Sequence, residues 1–578
     1  MAKREGGAYV VTTTRHYKGR VYHSHLLRRS YREGVRVRNE TLGNLSHLPD
    51  AVIDLIRGSL KGETFVPASQ TFEITASLSA GHVQAVEQAM KQLDFTSLIA
   101  SKPCRERDLV LGMVASRILA PYTKLATTRW WHTTTLAQDF GVVDAHEDDL
   151  YKAMDWLLER QDFIQKKLAA RHLQEGGMAL YDLTSSYFEG TTCPLGKRGY
   201  NRDKKKGKLQ VNYGLLTDQR GCPVAVSVYE GNTSDPDTLM PEILRLKKGF
   251  GIKSFIIVGD RGMISQKSVE EIRREDGVDW ITALKSGAIR ALIEDKTLQP
   301  DLFDERNLFE FTHPDYPQER LMACRNPELA RLRAHKREAL LQATEESLLK
   351  IQNMVEEKHL SLRDKIGVRV GRDINRYKMA KHFILDIQDN AFSWSRDQAN
   401  IASEAALDGI YIVRSSVSSK IMDGDACVRS YKLLAQVERG FRSLKTIDLK
   451  VRPIHHRLEA RVRAHIFLCT LAHYVEWHMR QAWCELMFTD EDQDAKNTRD
   501  PVAPAMRSKA ALKKIQSRHL DDGTPAHSFS TLLAELATIV RNTCRTPAAG
   551  ENSPSFQVTT TQSPKQKRAM DLIRTITV

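Results

Sequence analysis

The stretch Tyr431-Lys432-Leu433-Leu434-Ala435-Gln436-Val437-Glu438-Arg439-Gly440-Phe441-Arg442-Ser443-Leu444-Lys445 sets an aromatic, an acid and a base seven residues apart, at Tyr431, Glu438 and Lys445. At 3.6 residues per turn, seven residues make close to two turns. A helix here therefore lines all three along one face, with Leu434 and Arg442 one turn to either side of Glu438. Such a face can hold metal and phosphate together. Two aspartates upstream each close an apolar run that reads as a strand, Met178-Ala179-Leu180-Tyr181-Asp182 and Phe255-Ile256-Ile257-Val258-Gly259-Asp260. Taken singly, an aspartate at a strand end is more often a turn or cap residue; three carboxylates on the right elements in the right order carry more. Acids that bridge two cations about 4 Å apart activate an attacking oxygen and stabilise a leaving one. Hard oxygen donors suit Mg2+, with Mn2+ as the alternative. Asp182, Asp260 and Glu438 are thus the expected catalytic residues and metal ligands of a phosphodiester chemistry.

In residue type and spacing this set resembles the DDE transposases of bacterial insertion sequences, the group whose signature is Tyr-x2-Arg-x3-Glu-x6-Lys. The chain departs from that signature at Leu434, which stands where the group has arginine, and Arg442 is the expected substitute for its phosphate contact. Gly231-Asn232-Thr233-Ser234-Asp235, Asp408-Gly409-Ile410-Tyr411, and Arg452-Pro453-Ile454-His455-His456 followed by Arg463-Ala464-His465-Ile466-Phe467 fit the same group, and the likeness runs through roughly residues 175 to 480. The resemblance implies a transposase that binds the terminal inverted repeats of its element, cuts at each end and joins the ends to target DNA. It further implies two Mg2+ or Mn2+ ions per site, double-stranded DNA at element ends and target as partner, and a homodimer on paired ends. Lys445 is implied to contact the phosphate beside the cleaved bond, and Tyr431 to pack on sugar or phosphate. A hairpin pathway would require an aromatic side chain to stack a flipped base, with Trp280 and Trp394 as candidates. Two rival readings share this sequence: a metal-dependent DNA nuclease without strand transfer, and an inactive, domesticated DNA-binding protein.

The loop from Lys197 to Lys208 carries seven basic residues in twelve (Lys197, Arg198, Arg202, Lys204, Lys205, Lys206 and Lys208), with Tyr200 among them. Charge runs are usually solvated faces, but one that follows the Asp182 strand borders the expected site and is read as a DNA contact. The whole chain has a formal charge of +14, and residues 1 to 38 hold ten Lys or Arg against two acids. That balance favours a polyanionic partner. His455, His456 and His465 have no third ligand at zinc spacing and are read as packing or phosphate-contacting residues; Glu189 and Asp235 are assigned no metal. The eight cysteines are scattered without a Cys-x-x-Cys pair, and no segment approaches twenty apolar residues. Together with a start that lacks an apolar signal, this predicts a cytoplasmic protein with no membrane segment; the resemblance implies a bacterial one, nucleoid-associated when bound to DNA.

At 578 residues the chain should hold several domains. Residues 1–175 read as a DNA-binding or dimerisation region, basic strands followed by helices. From 176 to 286 the order is strand, basic loop, hairpin, helix, strand, helix, strand. The expected class is α/β, with a ribonuclease-H-like catalytic core interrupted by an insertion domain over 287–420 that contains a long charged helix and strands. The core resumes over 421–484 with the Glu438 helix, and 485–578 reads as a polar, partly disordered tail.

Overall fold

A computed structural model of the chain describes residues 7–63, 65, 72–295, 297–298, 307–490, 500–503, 506–545 and 555–578. Two compact units emerge, one made of residues 1–77 with 541–560 and the other of 78–540 with 561–578. In the first unit, β1 (Ala8–Tyr17), β2 (Arg20–Glu33) and β3 (Arg36–Asn44) form an antiparallel meander. A second sheet combines β4 (Glu73–Ser79) with β15 (Val540–Arg545) and β16 (Ser555–Thr559), in the order β16-β15-β4. Chain from both ends therefore builds one unit.

The second unit is organised by an eight-stranded mixed sheet. Its strands are β5 (Met178–Tyr187), β6 (Gln210–Asp218), β7 (Pro223–Glu230), β8 (Phe255–Gly259), β9 (Val278–Ala283), β10 (Leu308–Phe311), β11 (Arg320–Arg325) and β14 (Ile410–Ser415). The order is β10-β11-β14-β9-β8-β5-β6-β7, with β5, β8 and β9 parallel and the remaining pairs antiparallel. The apolar run of β8 and the complete burial of β6 along its length suit strands covered on both faces. The hairpin expected around Asp218–Gly221 joins β6 to β7, and Ser234 and Ser265 sit at the N-caps of the helices Asp235–Leu244 and Gln266–Ile272.

Three differences from the sequence reading concern where segments pack. The helices Gly81–Gln92, Arg105–Leu119, Glu147–Glu159 and Gln161–His172, grouped above with the basic strands, share one hydrophobic core with the sheet and the long helix Glu459–Ala482. Their apolar stripes are buried against one another, against β7 and against that long helix, which arrives some 300 residues later in the chain. Within 287–420, β10, β11 and β14 extend the central sheet, because β14 finds its partner in β9. The helices Pro327–Glu356 and Arg363–Ile374, with the hairpin β12 (Phe383–Gln388) and β13 (Ala391–Arg396), form a cluster of their own around Leu348, Ile351, Ile366 and Val370. Finally, the tail is ordered where described: Lys509–Ser517, Phe529–Leu536 and Pro564–Arg574 are helices started by Ser508, Ser528 and Ser563 caps. Few apolar residues anchor them, but Leu532, Leu536, Ala569 and Ile573 are fully buried. Residues 546–554, inside the stretch read as disordered, lie outside the described residues. No single described helix is long and apolar enough to cross a membrane.

On one face of β5, Tyr181 is completely buried and its ring lies over Gly214 of β6. A Cβ at Gly214 would meet the Tyr181 ring carbons at 2.5 Å, and a buried ring has nowhere to yield. Gly214→Ala is therefore expected to destabilise the second unit by about 1–3 kcal/mol, read as a lower urea midpoint followed by tryptophan fluorescence.

Candidate active site

Alternation along β5 puts Asp182, Thr184 and Ser186 on the face opposite Tyr181 and Leu183. The helix Leu434–Arg442 covers the Asp182 face: Phe441 meets Tyr213 edge-on at 6.0 Å, and the Tyr213 hydroxyl lies 3.0 Å from Ser186 Oγ. β5 and β8 run parallel with Tyr181 opposite Gly259, so Asp182 lies beside Asp260; Asp260 follows the last residue of β8 as expected, whereas β5 runs on to Tyr187 and holds Asp182 at its middle. Glu438 comes from the covering helix. All three line one cleft of about 430 Å3, together with Asp235, Arg202, Asp203, Arg442, Lys445 and Arg452.

The acids of this cleft divide into paired and unpaired. Arg202 Nη2 donates to both oxygens of Asp235 at 2.6 Å. Asp203, its side chain 1 % exposed, accepts from Lys445 Nζ at 2.9 Å and pairs with Arg452 as well. Asp182, Asp260 and Glu438 pair with no basic side chain among the described residues. Asp182 accepts the Leu183 N–H at 2.8 Å and Asp260 the Arg261 N–H at 2.7 Å, while the Tyr431 hydroxyl stands 3.5 Å from Asp260 Oδ1. Burial, with the Asp260 charge adding to it, pushes the Asp182 carboxyl up from 3.8 to about 7. Burial and the same aspartate push the Tyr431 phenol up.

The helical face is interrupted twice. Tyr431 ends the helix Gly424–Lys432, Glu438 lies on the next helix, and Lys445 falls in a π-helical turn, Ser443–Ile447. That wider turn shifts the phase of the face and turns Lys445 inward onto Asp203, where burial lowers its pKa against the opposing pull of Asp203. Behind the turn, Ser443 Oγ donates to buried Glu476 at 2.7 Å, and Arg480 bridges Glu476 and Asp448.

Of the basic loop, Arg202 and Lys204 reach the cleft. Lys197, Arg198 and Lys208 line a neighbouring cavity beside Phe188 and Gly190, with Lys208 paired to Glu189 at 2.7 Å. Lys205 and Lys206 are exposed, as is Arg442 on the cleft wall, whereas Leu434 is half-buried against the core. Trp280 is 1 % exposed beneath the Arg414 guanidinium, so a base has no access to its ring; Trp394 is half-buried against Phe383. His456 packs between Tyr151 and His465, pushed down to about 3 by burial. Asp203 and Arg452 were missed as cleft residues, while Asp235, read as near the site in sequence but holding no metal, lines the cleft as the partner of Arg202. The sequence signals of the two missed residues were a lone acid inside a basic run, and a segment that had been noted for other reasons.

The family model of the transposase DDE domain matches residues 179–475, a span that holds all three unpaired carboxylates. This chain belongs to the DDE transposase family. A second model, the N-terminal domain of IS1634 family transposases, matches residues 10–68, which marks the transposase as one of the insertion-sequence kind. Among solved structures, a piggyBac transposase synaptic complex with hairpin DNA is similar at 9% identity and a TM-score of 0.34, covering 78% of this chain and 77% of that one. No curated protein matches the transposase.

DDE transposases use divalent metal ions. The cleft suits a hard cation: its unpaired donors are all carboxylate oxygens, and two of them, Asp182 and Asp260, come from adjacent strands with no basic side chain bonded to either among the described residues. Asp182, Asp260 and Glu438 are the residues able to hold one. Because the folded pKa of Asp182 is raised, its proton stabilises the metal-free fold below pH 4, and that stability is lost as pH rises towards 7. At pH 8 without divalent ions, Asp182→Asn is expected to be more stable than wild type by on the order of 3 kcal/mol, with the gain vanishing at pH 4. Adding Mg2+ should raise the wild-type melting temperature and leave the variant nearly unmoved.

Proposed function

We propose that this transposase binds the inverted repeats of its own element, cleaves at each end and joins the exposed 3′-hydroxyls to target DNA, with Asp182, Asp260 and Glu438 as its metal ligands. The observation that carries this reading is the unpaired trio itself, since every other acid at the cleft already has a basic partner. The order β7-β6-β5-β8-β9, three antiparallel strands followed by two parallel ones, supports a ribonuclease-H-like core. Two Mg2+ ions, or Mn2+, supply the activation of the attacking oxygen and the stabilisation of the leaving one.

The chain's own groups place the DNA around that centre. Arg442, exposed on the cleft wall, contacts the phosphate that the missing arginine at Leu434 does not. Lys445 is held at the floor by Asp203, where its charge faces the phosphate beside the cleaved bond. Tyr431, braced against Asp260, packs on the sugar. Lys197, Arg198, Lys204, Lys205, Lys206 and Lys208 follow the backbone away from the cleft, and Arg202 keeps its place through Asp235. Two ends must be cut and joined together, so the working form is a homodimer on paired ends, acting on the bacterial nucleoid.

Mg2+-dependent reaction of the wild-type protein with DNA carrying the native flanks of its gene is expected to give nicks at the flank boundaries and joined products. Asp260→Asn and Glu438→Gln should each lower both steps by several orders of magnitude while binding the ends about as well as wild type. Hydrolysis without joining would instead assign a nuclease, and end binding without cleavage by the wild type an inactive DNA-binding descendant.

A further inference from the structure

Away from the acidic cleft, three side chains from separate elements converge. His172 ends the helix Gln161–His172, Cys222 stands in the turn between β6 and β7, and His478 lies on the helix Glu459–Ala482. One ligand atom from each lies within 4.8 Å of the other two. Cys222 Sγ is 3.7 Å from His478 Nε2, near the roughly 3.6 Å edge of a tetrahedron built from zinc–sulfur bonds of about 2.3 Å and zinc–nitrogen bonds of about 2.0 Å. Cys222 and His478 are buried and His172 is half-buried.

We propose that His172, Cys222 and His478 bind one Zn2+ ion, with water completing the fourth position. Two imidazoles and a thiolate select zinc over the hard cations suited to the cleft. Burial pushes His172 down to about 4 and His478 to about 3, so both keep a lone pair at neutral pH. The Cys222 thiol, pushed up by burial and by Asp218, is protonated in the empty site; its proton passes to solvent as the sulfur–zinc bond forms. Each nitrogen of His172 already has a neighbour, the Tyr474 hydroxyl 3.0 Å from Nε2 and Arg220 Nη2 3.2 Å from Nδ1. One of these gives way on binding. If it is Arg220, its Nε keeps the 2.8 Å bond to Asp218.

The site has a mechanical consequence for the cleft. Gly221, next to Cys222, has φ +83°, and a Cβ there would lie 2.7 Å from Gln436 Cβ. The turn thus presses on the helix that carries Glu438, two residues before it. A zinc ion that ties this turn to the helix Glu459–Ala482 fixes the support of the Glu438 helix. The site does not depend on how the acidic cleft is read, and its spectroscopic signal is one that carboxylates lack.

The test uses the full-length protein, without an affinity tag and purified without chelators. Elemental analysis after zinc exposure and desalting is expected to give about one zinc per chain. Loading with Co2+ should produce a near-ultraviolet thiolate-to-cobalt absorption, which Cys222→Ser abolishes while its zinc affinity falls at least about tenfold. His478→Gln should weaken zinc binding similarly while retaining the thiol. A wild-type protein that holds no stoichiometric zinc and gives no near-ultraviolet cobalt band overturns the proposal, whether or not either variant folds. Persistence of the full band in Cys222→Ser overturns it equally.

Discussion

The register between β5 and β8 is the constraint on which the site rests. Parallel neighbours lie about 4.8 Å apart, and with Tyr181 opposite Gly259 the next residues of both strands are acids. Burying one of these carboxylates beside the other works against the fold: burial first, and the Asp260 charge after it, raise the pKa of Asp182. The sheet tolerates this because β5 lies inside eight strands, with Tyr181 locked over Gly214 on its other face. A slip of one residue would turn Asp182 into that packed face, so the packing that stabilises the domain also fixes the chemistry.

Around this pair the remaining charges are distributed so that the cleft stays acidic at its centre and basic at its walls. Asp203 gathers Lys445 and Arg452, and Asp235 holds Arg202. These cations stay within the cleft without quenching Asp182, Asp260 or Glu438. The Ser443–Glu476–Arg480–Asp448 network supports the π-helical turn from behind, away from solvent, and so sets the inward direction of Lys445. Breaking a buried arrangement of this kind leaves an uncompensated charge, which is why such groups act together.

Asp182, Asp260 and Glu438 were legible as a converging set because each sits at the end of a local apolar run or on a strongly patterned helix. Positions fixed by distant segments were not legible. The pairing of Asp235 with Arg202 was not legible, because only folding of the basic loop brings the two together. Lys445 was expected on one continuous helical face with Tyr431 and Glu438, but a π-helical turn, which leaves no clear mark in the residue pattern, shifts its phase and turns it inward onto Asp203. The strands of the insertion joined the central sheet because β14 pairs with β9, a match across some 130 residues that no local pattern encodes. The tail was read from its polar composition, whereas three serine caps and a few buried leucines and isoleucines sufficed to order its described parts.

The sheet shared by β4, β15 and β16 sets an order of events during synthesis. About 460 residues separate β4 from β15, a gap the ribosome needs on the order of half a minute to a minute and a half to cross. Throughout that interval β4 has emerged without its partner and offers an unpaired edge. The unit containing the chain's basic N-terminal strands is completed only once β15 and β16 have been made. A chain lacking β15 and β16 would leave β4 without its partner, so the unit of the basic N-terminal strands depends on residues made long after them.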